Sequence, residues 1–154
     1  MRIAIVTASI GTNSLLEPVS FDGADYHVFV DYENDDTSWI KHPVIPFSTD
    51  PKYKNRRNAK VFKILSFAFF PDYDFYFWVD STHILEVDPR EVIDTYLKDS
   101  DVAVFKHPYR DCIYLEGEFV KDIGFGHANL LEDQLAFYKG MCYPDHNGLY
   151  ELPS

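Results

Sequence analysis

Five consecutive aromatic or β-branched residues, Phe75, Tyr76, Phe77, Trp78 and Val79, run into Asp80, Ser81 and Thr82, with Pro71 and Asp72 marking a turn before them. A run that is apolar on both faces and bounded by turn residues reads as a buried central strand. A carboxylate directly behind it stands at the strand's C-terminal end, the edge where open α/β sheets bind their ligands. Asp80 is therefore the residue against which the other segments are set. Its alternative role is to cap the turn that follows.

The remaining segments alternate in type. Residues 2–8 read as a buried first strand leading into Ser9 and Gly11, where small residues let a ligand approach the backbone. A second strand spans 26–30 and ends at Asp31, followed by Glu33, Asp35 and Asp36 in a solvated loop. Two prolines within 39–47 leave room for a short edge strand at best. Helical spacing over 55–69 places Val61, Ile64, Leu65, Ala68 and Phe69 on one apolar stripe, and Pro71 stops it. Asp88 followed by Pro89 is a helix start, with Val92, Ile93, Tyr96 and Leu97 on the apolar side. Residues 102–105 read as another buried strand, and 116–138 as helix interrupted at Gly124 and Gly126. The tail, 143–154, reads as loop. The order β, β, α, β, α, β, α predicts an α/β, Rossmann-like fold, a mainly parallel sheet with helices on both faces. Parallel strands would bring Ser9, Asp31, Asp80 and His107 to one edge.

The basic residues are unevenly spread. Lys52, Lys54, Arg56, Arg57, Lys60 and Lys63 are six of the chain's 14 lysines and arginines. Arg56, Lys60 and Lys63 share a helix face at i, i+4, i+7. Cations in a first helical turn oppose the helix dipole, so Arg56 and Arg57 are not explained by local energetics. A bound anion explains them; so does a solvated basic face paired with acidic loops.

A length of 154 residues suits one domain, 1–154, with a sizeable core. A net charge of −11 argues against a general nucleic-acid partner, which requires a basic surface. Cys112 and Cys142 do not make a disulfide framework and read as free thiols. The apolar N-terminal stretch is too short for a secretory signal, and no run approaches the roughly 18 apolar residues of a membrane span. The expectation is a soluble, cytoplasmic protein. There is no Gly-rich dinucleotide fingerprint, phosphate loop, G-x-S-x-G or paired-Cys zinc motif. The edge residues suit a divalent cation with a diphosphate, since magnesium or manganese takes one or two carboxylates plus substrate phosphates.

Asn55-Arg56-Arg57-Asn58-Ala59-Lys60-Val61-Phe62-Lys63-Ile64-Leu65, then Phe69-Phe70-Pro71-Asp72-Tyr73-Asp74 and Trp78-Val79-Asp80, resemble the core of a glycosyltransferase-like family. That family is known mainly from plant Golgi proteins, with bacterial and viral relatives, and was formerly a domain of unknown function. His107-Pro108-Tyr109-Arg110-Asp111-Cys112-Ile113-Tyr114 with Glu116 resembles its second block, and Gly148-Leu149-Tyr150-Glu151 the start of its third. The family is similar to GT-A nucleotide-sugar transferases. The resemblance implies a GT-A-like domain, shortened at the C-terminus, that takes a uridine-diphosphate sugar and passes the sugar to a glycan or glycoconjugate acceptor. It implies Thr7 and Ala8 beside the nucleoside, and Arg57 and Lys60 on the diphosphate. Asp80 would hold Mn²⁺ or Mg²⁺, and His107, Arg110, Asp111 and Glu116 would face the sugar or acceptor. The motif here is Asp80-Ser81-Thr82, without the second carboxylate of Asp-x-Asp. Two other readings stay open: a non-catalytic nucleotide- or glycan-binding module, and a structural protein that keeps only the fold. The early end of the sequence raises the expectation of an open site, completed by a homodimer or a partner chain.

Overall fold

The computed structural model describes residues 1–33 and 36–151. Asp35, read above as part of an acidic loop, and the tail residues Leu152, Pro153 and Ser154 lie outside the described residues. Within the stretch read as one domain the chain forms two compact units, Met1–Ala103 and Val104–Leu152.

The first unit contains β1 (Ile3–Ser9), β2 (Ala24–Val30), β3 (Ile40–Pro43), α1 (Lys54–Ile64), α2 (Ser66–Phe69), β4 (Phe75–Trp78) and α3 (Pro89–Tyr96). The strands form one parallel sheet in the order β3-β2-β1-β4. In register, Ile3 lies opposite Ala24 and Phe75, and Val6 opposite His27 and Trp78. The chain steps outward from β1 to β3, then crosses back to the far side of β1 for β4. That reversal opens a crevice beyond the C-terminal ends of β1 and β4, the usual ligand position in such sheets.

Both sheet faces are covered. On one, Ile3 and Ile5 cluster with Tyr26, Val28, Val30, Trp39 and Ile93 of α3. On the other, Ala4 and Val6 cluster with Phe29, Phe62 of α1 and Phe70. This is the α/β, Rossmann-like arrangement that the alternation predicts. The central strand differs from expectation. It is β1, nearly all of it buried, whereas β4 is half-buried and stands at the sheet's edge. Phe75 and Phe77 pack on one cluster, and Tyr76 and Trp78 on the other. A run apolar on both faces thus reports two covered faces, not two paired edges.

The helix expected over 55–69 divides at Leu65 into α1 and α2. Ser66 Oγ donates to the Phe62 carbonyl at 2.7 Å, a local bond of the kind that bends helices. The phase of the stripe also differs. Asn58, Phe62 and Ser66, spaced i, i+4, i+8, are buried, while Ile64 and Leu65 are exposed. Phe62 stacks on Phe29 with ring centroids 3.8 Å apart, and this aromatic contact sets the helix rotation. The start of α3 is as expected: the Asp88 side chain accepts from Arg90 N at 2.9 Å, with Pro89 in the first turn.

The second unit contains β5 (Phe105–Lys106), α4 (Ile113–Asp122), α5 (Ala128–Gly140) and β6 (Tyr150–Glu151). The break between the helices falls at Gly124, whose φ of +70° suits glycine. The strand expected at 102–105 is not a buried parallel strand. Val102 and Phe105 are exposed, and β5 pairs antiparallel with β6 in a separate two-stranded ribbon. A short apolar run does not reveal which sheet it will join. His107, which follows β5, therefore does not share a sheet edge with Ser9, Asp31 and Asp80. Cys112 is buried, Cys142 is exposed, and both are free thiols. Among the described residues, no helix is long and apolar enough to cross a membrane.

Candidate functional site

In the first unit the C-terminal edge of the sheet carries a cleft of about 400 Å³. Its wall follows the strand ends in turn: Ile10 after β1, Asp31 after β2, Val44 and Pro46 after β3, then Ser48 and Thr49. Lys54, Asn55 and Asn58 of α1 close it. The loops are pinned from within. Gly11 N donates to both carboxylate oxygens of Asp31, at 2.9 and 3.0 Å. Asn58 Oδ1 accepts from Phe47 N and Ser48 N, at 3.0 and 2.7 Å. Gly11 has φ +70°, and a Cβ there would stand 1.7 Å from Asn55 Nδ2. Gly11→Ala is expected to push Asn55 out of the cleft wall and lower stability by about 1–2 kcal/mol. Urea titration of the two proteins checks this; equal midpoints would show that the loop accommodates the methyl group without strain.

The residues expected beside the nucleoside divide. Thr7 is fully buried within β1, on the face of Ile3 and Ile5, and its Oγ1 has no hydrogen-bond partner among the described residues. It is core, with no surface to offer a ligand. Ala8 is partly exposed and, like Ile10 and Trp78, packs against the cluster that contains Ala4, Val6 and Phe29. Strand alternation separates these neighbours.

The basic residues divide as well. Arg57 pairs with Asp50 at 3.2 Å, and Asp50 Oδ1 also accepts from Lys52 N and Tyr53 N ahead of α1. That pairing answers part of the charge at the helix start without a bound anion. Lys60 makes no ion pair among the described residues. It is exposed in area, yet partial desolvation, and then the charges of Arg56 and Lys63, lower its pKa below the ordinary lysine value. An anion at that face would relieve the repulsion.

Asp80 stands two residues beyond β4, at the crevice between β1 and β4. Its Oδ1 accepts the Trp78 indole N–H at 2.5 Å and lies 3.7 Å from Lys63 Nζ. The Lys63 ammonium also lies 5.7 Å from the Trp78 ring centroid. Among the described residues no three His, Cys, Asp or Glu side chains form a group able to hold a metal ion. Asp80 is a single carboxylate whose Oδ1 is already engaged by an ammonium and an indole, so Mn²⁺ or Mg²⁺ there would need its other oxygens from water and substrate phosphates. The side chains present do not by themselves fit the expected cation.

In the second unit the expected sugar- or acceptor-facing residues meet one another. His107 is buried, and its Nδ1 accepts from Tyr109 N at 3.2 Å and Arg110 N at 3.0 Å. In the neutral ring the proton is therefore on Nε2, which lies 3.5 Å from Glu116 Oε2. Arg110 Nε donates to Glu116 Oε2, and its guanidinium lies 4.1 Å from the Phe119 ring centroid. His107, Arg110 and Glu116 thus fasten the loop after β5 to α4. Asp111 pairs with His146 Nδ1 at 2.8 Å, which holds the carboxyl below its usual range and raises the imidazole. Asn55, Asn58 and Lys63 escaped the sequence reading as site residues. For Lys63 a signal existed, its i+7 spacing from Arg56.

A family model described as TOD1/MUCI70, glycosyltransferase-like domain, matches residues 31–149. The protein named probable hexosyltransferase MUCI70, from Arabidopsis thaliana, is 32% identical over 91 residues, 58% of this chain and 16% of that protein. The chain thus spans a small part of that curated relative's length. No solved structure matches.

Proposed function

The chain belongs to the TOD1/MUCI70, glycosyltransferase-like family, and from that premise we propose that its first unit binds a nucleotide-diphosphate sugar, a uridine-diphosphate sugar in the first instance, for transfer of the sugar to a glycan or glycoconjugate acceptor. The observation that carries the reading is the cleft of about 400 Å³ at the C-terminal edge of the parallel sheet, bordered by the start of α1. A base and ribose fit such a volume against Ile10 and Val44. Asp31, at the end of β2, is placed to accept from ribose hydroxyls, as acids at this position do in related sheets. Lys60 offers the diphosphate a charge that has no ion-pair partner among the described residues.

Departure of the sugar leaves negative charge on the nucleoside diphosphate. A cation fixed beside that charge stabilises the transition state more than the ground state. Asp111 and Glu116 are engaged by His146 and Arg110, so a base role for either would require that pair to open. A binding-only module is the second reading, favoured by the single carboxylate of Asp80-Ser81-Thr82.

A thermal-shift panel of uridine-diphosphate sugars, with and without Mn²⁺, followed by calorimetry and hydrolysis assays on the hits, tests both readings. Lys60→Ala is expected to weaken uridine-diphosphate binding by about tenfold or more, the worth of one charge-assisted hydrogen bond. Absence of binding across the panel would remove the donor role. Binding without turnover, in any acceptor mixture, would leave the module.

A further inference from the structure

The cleft of the first unit is lined by one acid and one lysine, Asp31 and Lys54. They do not pair with each other. Asp31 is held by Gly11 N, whereas the Lys54 side chain has neither an ion pair nor a hydrogen bond among the described residues. Its neighbours are engaged: Arg57 has Asp50, and Lys52 lies 4.8 Å from the Tyr53 ring centroid. The chain carries 25 acids, yet none among the described residues reaches Lys54. As the first residue of α1 it opposes the helix dipole, and the first turn holds neither an acidic residue nor a side-chain cap to offset it. Thr49, from the same lining, also has a hydroxyl without a partner among the described residues.

We propose that Lys54 binds the diphosphate of the donor, so that the nucleotide lies in the cleft with its ribose at Asp31 and its phosphates at the start of α1. The proposal rests on the nucleotide-sugar reading given above and adds which way round the ligand lies. One acid and one lysine in a shared lining favour a single orientation. Phosphates at Asp31 would meet a carboxylate, whereas ribose hydroxyls there find an acceptor. Phosphates at Lys54 meet an ammonium that gives up no protein partner to reach them, and the resulting hydrogen bonds are charge-assisted. Ile10, Val44 and Pro46 leave apolar surface for the base. Lys60 lies outside this lining, so Lys54 is the cation that the wall itself supplies. The order of groups in the ligand then sends the transferred sugar past Lys54, away from Asp31. Lys54 thereby meets the charge that builds on the departing diphosphate.

Calorimetry on the full chain with uridine diphosphate and inorganic pyrophosphate, with and without Mn²⁺, decides the matter. Lys54→Ala and Lys54→Gln should each weaken both probes by about tenfold, Lys54→Glu should weaken them further, and Lys54→Arg should retain most of the affinity. Lys54 is exposed, so these changes spare the core, and circular dichroism checks that each variant is folded. Parent-like affinity for uridine diphosphate in the alanine variant would overturn the proposal while leaving nucleotide binding standing. Recovery in Lys54→Gln would overturn it too, because glutamine keeps much of the stem without the charge. So would a loss confined to uridine diphosphate in a protein that binds both probes, which would put Lys54 beside the nucleoside. A parent protein that binds neither probe would take the nucleotide reading and this inference down together.

Discussion

Phe62→Ala is expected to lower the free energy of unfolding of the first unit by about 3–5 kcal/mol, the usual cost of emptying an aromatic site in a core. Phe62 is fully buried and stacks on Phe29 at 3.8 Å, with Phe69 and Phe47 at its edges, 5.1 and 6.0 Å away. It is also the side chain by which α1 grips the sheet, beside Ala4 and Val6. Its small neighbours on β1 cannot swell to fill the void, so collapse offsets little of the loss. Because α1 carries Lys60, Lys63 and the cleft residues Asn55 and Asn58, the variant should lose ligand binding along with stability. Urea unfolding monitored by Trp39 and Trp78 fluorescence measures it. A loss below about 1 kcal/mol, well outside the range for such truncations, would mean that the helix is held by other contacts.

The same residue shows where the sequence spoke and where it did not. Alternation of apolar runs and helical spacing made the parallel sheet and its flanking helices readable, because burial of each face leaves its period in the chain. The rotation of α1 was not readable. Val61, Ile64 and Leu65 form as regular a stripe as Asn58, Phe62 and Ser66, and only the position of Phe29 on β2 chooses between them. Strand partners were hidden for a related reason. Edge and centre differ in backbone pairing, which side-chain pattern does not record, so neither the edge position of β4 nor the separate ribbon of β5 is legible in it. The N-cap at Asp88 was readable because capping is local.

At the site, the sequence marked the strand ends and the basic stretch: Asp31 and the start of α1 do border one cleft at the C-terminal edge of the parallel sheet, whereas His107 belongs to the separate ribbon. It did not say which cation is engaged by which acid. Arg57 and Lys60 are neighbours on the helix, yet Asp50 reaches the first and, among the described residues, no acid reaches the second. The pairing depends on the course of the loop after β3. Likewise Asp80 was identifiable as a strand-end carboxylate, but its contact with Lys63 arises across elements 17 residues apart. The block from His107 to Glu116 was identifiable by resemblance, whereas its pairings were not: His107 Nδ1 accepts backbone N–H groups, Arg110 holds Glu116, and Asp111 pairs with His146 outside the block.

Acidification should destabilise the first unit through His27, a residue that nothing in the sequence pattern singles out. His27 is buried on β2, stacked on Phe70 at 4.2 Å, with Nε2 2.9 Å from the Tyr73 hydroxyl and Nδ1 3.0 Å from His42 Nε2. Tyr73 donates its only proton to Asp25 Oδ2 at 2.7 Å. Its oxygen must then accept from His27 Nε2–H, which leaves Nδ1 as the acceptor for His42 Nε2–H. A proton added to His27 would face that donor, in a setting where burial and then the neighbouring His42 charge already lower its pKa from 6.5 to about 4, against a smaller opposing pull from Asp25. The folded state therefore binds fewer protons than the unfolded chain between these two values. Its stabilisation is complete above about pH 6.5, declines as pH falls toward 4, and is gone below both, a total of about 3 kcal/mol for a shift of this size. His42, whose pKa burial also lowers, adds in the same direction. Urea titrations at about pH 7.5 and about pH 4.5, repeated on His27→Gln, isolate this contribution from carboxylates that titrate nearby. The parent should lose more stability than the variant across that interval. Equal losses in the two proteins would place the acid sensitivity elsewhere and leave the Asp25–Tyr73–His27–His42 chain as a hydrogen-bonded brace indifferent to pH.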